Sequence, residues 1–102
     1  MSLISIESLR PHVLRLLAKA DPPFGLELLS FKRDRSVAVF RLSDQRYFLV
    51  EHGFIRQEHI VEAAGLSRLL KVIIKREFPR SHKVRLVKIS VPNELLQTHQ
   101  GI

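Results

Sequence analysis

The chain has no cysteine and no tryptophan, and only four glycines and one tyrosine among its 102 residues. Without cysteine there can be no disulfide framework, no thiolate zinc site and no thiol redox centre, which fits a reducing compartment. Four scattered glycines cannot build a phosphate cradle, and neither a GxSxG elbow nor an HExxH pair occurs. No enzyme and no cofactor are therefore expected. Long apolar runs are also missing: none approaches the roughly 18 residues that cross a bilayer. Met1 to Arg10 lacks the basic start and long apolar stretch of a secretory signal. The expectation from these absences is a cytoplasmic protein without integral membrane association. The apolar fraction of 45% is nevertheless ordinary for a globular chain, and 102 residues suit a single domain, with 1–7 and 92–102 as looser termini.

Acid is scarce in one place above all. Between Arg68 and Lys88 lie Arg68, Lys71, Lys75, Arg76, Arg80, Lys83, Arg85 and Lys88, eight cations against the single acid Glu77. That local excess equals the net charge of the whole chain, +7, so all other charges balance. A concentrated cationic field favours an anionic partner, nucleic acid or an acidic protein surface. Lys71, Lys75 and Arg76 also complement the dipole at a helix C-terminus. Arg80, Lys83, Arg85 and Lys88 lie beyond the helix, where that explanation ends. Aromatic interleaving is thin, since Phe78 alone falls within the stretch.

Ser8 to Ala20 reads as a first helix, with Leu9, Val13, Leu16 and Leu17 on one face, Ser8 as N-cap and Pro11 in the first turn. Leu3 to Ile6 is either a short edge strand or an irregular lead-in. Pro22 and Pro23 end the helix. Leu26–Lys32, Val37–Leu42 and Tyr47–Glu51 then read as strands joined by turns too short for a crossover, hence antiparallel. Ala38, Phe40 and Leu42 share one face, and Val37, Val39 and Arg41 the other. Both faces carry apolar side chains, so helices can cover one and a partner can touch the other. Gln57 to Phe78 reads as one amphipathic helix with Leu66, Leu69, Leu70 and Ile73 on its apolar side. Lys83 to Val91 reads as a last strand whose alternation slips near Val87, by a bulge or by burial on both faces. Asn93 can cap one further turn through Glu94, Leu95 and Leu96. The expected fold is α+β in the order α-β-β-β-α-β: an antiparallel meander with two helices packed on one face. Its core unites the two helical stripes with Leu28, Phe40, Phe48, Val50 and Leu86.

Locally, Gln57 to Arg76 resembles a helix-turn-helix, with Gly65 at the turn, Leu66 buried after it and Ser67 as cap. Lys71 and Val61 depart from that motif, and a single helix through Gly65 is the preferred reading. The α-β-β-β-α order resembles that of double-stranded-RNA-binding domains in topology alone. That family contacts RNA partly through a lysine-rich start to its second helix. Here the segment begins Arg56-Gln57-Glu58-His59, so the contact residues do not carry over.

Glu51, His52, Glu58, His59 and Glu62 form the one group with metal-ligand chemistry, His59 and Glu62 sharing a helix face if the segment is helical. Acids near a helix start and histidines in an exposed loop are the preferred account of them, and no metal is assigned. Asp34 and Asp44 read as turn formers. The expected function is a small module that binds nucleic acid, RNA somewhat ahead of DNA, through Arg68 to Lys88. The alternative is a protein–protein adaptor or self-associating subunit, including a homodimer.

Overall fold

The computed structural model describes residues 2–32 and 34–95. The elements are β1 (Ser2–Ser5), α1 (Ile6–Lys19), β2 (Phe24–Leu29), β3 (Ser36–Arg41), β4 (Arg46–His52), β5 (Arg56–Glu62), α2 (Ala63–Glu77) and β6 (Lys83–Ile89). All six strands form one antiparallel sheet in the order β1-β6-β2-β3-β4-β5. Strands β2, β3, β4 and β5 are a meander, as the short turns require. The helices carry the chain across the sheet, α1 from β1 to β2 and α2 from β5 to β6, and both pack on one face.

Of the two readings left open for the lead-in, the strand is the one formed: Ser2–Ser5 pairs with Lys83–Leu86 at the sheet edge. The bounds of both helices differ from the sequence reading. The pairing pulls the start of α1 forward: Ile6 N–H donates to His82 O at 2.9 Å, Ser5 becomes the N-cap, and Pro11 falls inside the helix rather than in its first turn. The second helix begins six residues later than Gln57, since Arg56–Glu62 zips onto β4 as a fourth meander strand. α2 then runs without a break through Gly65, so there is no helix-turn-helix here. The additional strands also remove the likeness to the double-stranded-RNA-binding order.

The main core lies between sheet and helices. Leu9, Val13 and Leu17 of α1 and Leu66, Leu70 and Ile73 of α2 bury against Leu26, Leu28, Val37, Val39, Leu49, Val84 and Leu86. Each such side chain contributes roughly 1.5–3 kcal/mol on full burial. Phe40 and Phe48, expected in that core, point to the opposite face because their parity along β3 and β4 is the other one. There they stack at 6.5 Å and, with Leu42, pack against Ile89, Val91 and Leu95 of the chain's final described segment. The slip near Val87 is therefore burial on both faces: β2 and β6 pair without a skipped residue from Gly25↔Ile89 to Leu29↔Arg85. Leu95 N–H closes a turn onto Pro92 O at 3.1 Å. Leu96, His99 and Arg33 lie outside the described residues.

Arg41 shows how a charge enters the helix-covered face. Its guanidinium donates to Leu17 O at 3.0 Å and to Ala20 O at 2.8 Å, which satisfies carbonyls that the end of α1 leaves open.

Candidate nucleic-acid interface

Alternation and register send the eight cations to separate places. Arg68, Lys71 and Lys75 form an exposed stripe on the outer side of α2, where a helix at this spacing must put them. Arg76 turns inward, towards Glu51. Lys88 sits at the far end of β6, its ammonium 5.5 Å from the Phe24 ring. Arg80, Lys83 and Arg85 gather at one end of the sheet, with Lys83 and Arg85 on the face that the helices leave open.

At that same end meet the β2–β3 loop, the β4–β5 loop and the α2–β6 loop. Lys32 and Arg35 belong to the first of these loops and Arg56 adjoins the second; Arg35 and Arg56 line one hollow, and Arg80 and Lys83 line another with Phe31. The acid among these described residues, Asp34, is engaged within its own loop: it accepts from Ser30 Oγ at 2.6 Å and lies 3.9 Å from Arg35. The Ser30 hydrogen bond, partly opposed by desolvation, holds the Asp34 carboxyl below its ordinary value.

Two loop tips present phenylalanines to solvent. Phe31 is 61% exposed and Phe54 63% exposed. Each lies under a guanidinium, Arg85 at 5.0 Å from the Phe31 ring centre and Arg35 at 4.2 Å from that of Phe54. Phe31 follows β2 and Phe54 follows β4, two strand spacings away, about 10 Å across the sheet. Phe78, the aromatic inside the basic stretch, is buried and takes no part. These two phenylalanines escaped the sequence reading because they lie in loops remote from Arg68–Lys88. The available signal was an exposed-type aromatic beside cations in each turn: Phe31-Lys32, and Phe54 two residues before Arg56.

Buried acids position these loops. Glu77, the lone acid of the basic stretch, is fully buried, and its Oε1 accepts from Phe54 N–H at 2.8 Å. Its backbone oxygen accepts from Arg35 at 3.4 Å. A side chain at Gly53 would overlap the Glu77 carboxyl and the stem of Arg35, so the loop can close this tightly only over glycine. Beside it, Glu51 is also fully buried and accepts Nε2 of His59 at 2.6 Å and two guanidinium nitrogens of Arg76 at 3.1 and 2.8 Å. Burial alone would push the Glu51 carboxyl up. Hydrogen bonds from Arg76 and His59 outweigh it and hold the group below its ordinary value. The same carboxylate holds Arg76 above its own.

The metal-ligand group comes apart on this sheet. Glu51 and His59 face the helices, while His52, Glu58 and Glu62 have the opposite parity, and His59 and Glu62 cannot share a face on a strand. No group of three potential ligands is present among the described residues. No helix among them is long and apolar enough to cross a membrane.

The fold is an α+β sheet with one face open, and its best-furnished surface is the loop end. Searches of protein-family models, curated proteins and solved structures found no match to this chain.

Proposed function

We propose that this chain is a cytoplasmic module that binds single-stranded segments of nucleic acid, RNA ahead of DNA, at the loop end of its sheet. The observation that carries this reading is the pair of exposed phenylalanines, each backed by a guanidinium, amid Lys32, Arg80 and Lys83. A guanidinium on one side of a ring leaves the other side for a base, and cations around it meet the phosphates. Stacking of this kind needs unpaired bases, which RNA loops and ends supply.

Anisotropy titrations with labelled single- and double-stranded RNA and DNA at low salt test the reading. Phe31→Ala and Phe54→Ala should each weaken single-strand binding by about 1–3 kcal/mol. Arg80→Glu with Lys83→Glu should weaken it for every sequence. Lys75→Glu, on the outer side of α2, separates a site confined to the loop end from one that continues along the helix. Anionic vesicles form a parallel arm, because phenylalanines among cations also suit a lipid surface. Binding to vesicles with no binding to any oligonucleotide would overturn the proposal.

A second reading has its own support. A groove of about 410 Å³ between α1 and α2 has Ile6, Ile74 and Phe78 among its lining, with Arg10, Lys71 and Lys75 beside them and Glu7 at its margin. Apolar walls with cationic neighbours suit an acidic amphipathic segment, the adaptor function. Lys71→Glu would then abolish capture of such a protein and leave oligonucleotide titrations unchanged.

A further inference from the structure

Strand β5 is the outer edge of the sheet, seven residues long against four for β1 at the other edge. Its hydrogen-bonding sense follows from two bonds at its ends: Ala63 N–H donates to Gln45 O, and Gly53 N–H donates to Ile55 O. By the alternation of an antiparallel ladder, the odd residues of β5 face β4. The even residues Arg56, Glu58, Ile60 and Glu62 turn their N–H and C=O groups outward. Their side chains lie on the open face, where Ile60 is 58% exposed next to Phe48.

A second copy can add to this edge only in registers that keep like faces together, so each residue must meet one of the same parity. Centred on His59, the two strands overlap over their full length. Arg56 then lies opposite Glu62 of the other copy, twice by symmetry, and Glu58 lies opposite Ile60. Centred on Glu58, the strands would set Glu58 against Glu58. Centred on Ile60, they would set Glu58 against Glu62 twice. The full-length register is the one among these three with no carboxylates directly opposed; on the other face it sets His59, held by Glu51, against its own counterpart. The edge also excludes the basic stretch, so the +7 of each chain does not meet its counterpart there.

From this we infer that two copies of the chain join antiparallel through β5, centred on His59, into one continuous twelve-stranded sheet closed by two Arg56–Glu62 pairs. The inference does not rest on nucleic-acid binding. The two-fold axis leaves the loop ends at opposite ends of the joined sheet, one for each copy.

Sedimentation equilibrium in the absence of nucleic acid tests it with changes at exposed charges. Wild type should dimerise at submillimolar concentration. Arg56→Glu alone and Glu62→Arg alone each replace two attractive contacts by two repulsive ones, so each should weaken self-association about ten- to hundredfold. An equimolar mixture of the two variants regains both attractive pairs and should dimerise like wild type, whereas each variant alone stays monomeric. Circular dichroism melts identify any variant that has lost its fold, in which case Glu58→Gln replaces it: in this register it should leave dimerisation nearly unchanged, whereas a Glu58-centred register, relieved of its opposed acids, would tighten. A monomeric wild type, or a mixture no more associated than its parts, would sink the inference.

Discussion

At the scale of single residues, the buried acids are the chain's most demanding feature. Glu51 keeps its charge only because three donor nitrogens reach it. Its folded-state value is depressed, so its stabilising contribution is complete above the ordinary carboxylate value of 4.5 and disappears as pH falls through the depressed one. Urea melts from neutral pH downward should show stability falling in that acid range, and Glu51→Gln should flatten the fall. Arg76→Met removes two donors from a carboxylate that water cannot reach. The cost should be about 1–3 kcal/mol, towards the lower part because a third of the Arg76 side chain is itself in water. Reversing an exposed cation such as Lys71 should change stability far less, which separates the structural member of the basic stretch from its surface members.

Elements compete for the same residues, and β5 is the instructive case. Its run Arg56-Gln57-Glu58-His59 has no β-branched residue and reads readily as helix. Strand wins because β4 offers a free edge, and seven ladder positions add up where local preference is weak. α2 then starts abruptly at Ala63, and Gly65 in its first turn faces back towards the strand. A methyl group at Gly65 would stand 2.9 Å from Cγ2 of Val61, too close without a shift of that stiff side chain. Gly65→Ala should therefore gain less than the ~1 kcal/mol that helix propensity alone would bring. In a double-mutant cycle with Val61→Ala, the pair should be more stable than the sum of the singles by about 0.5–1 kcal/mol, measured by chemical denaturation. Simple additivity would show that the contact relaxes freely.

For the whole molecule, the question is how a linear excess of charge becomes a surface. Folding scatters the basic stretch: Arg76 goes to Glu51, Lys88 to the far end of β6, and Arg68 to the outer side of α2. It also brings Lys32, Arg35 and Arg56 to the end of the sheet that carries Arg80 and Lys83, which no one-dimensional charge count would do. If three or four of these meet phosphates, single-strand affinity should fall with salt at a log–log slope of about −2 to −3. Titrations from low to moderate salt would measure it. A slope near zero would point to a partner held by apolar contact instead.

Much of the architecture was already determined by the amino-acid sequence. Helical periodicity in Leu9/Val13/Leu17 and Leu66/Leu70/Ile73, alternation in Val37–Leu42, and turns too short for a crossover require helices over an antiparallel meander. These are local signals, carried by residues within a few positions of one another. The tertiary structure decided what depends on long-range pairing: that Ser2–Ser5 and Arg56–Glu62 are strands, that Phe40 and Phe48 face away from the helices, and that Phe31, Phe54 and the cations share one end. Each depends on which strand lies beside which, and strand order is set by two helical crossovers whose destinations no periodicity encodes. The basic stretch was visible in one dimension, but its division into a buried ion pair, a helix stripe and a loop-end cluster exists only once the sheet has closed.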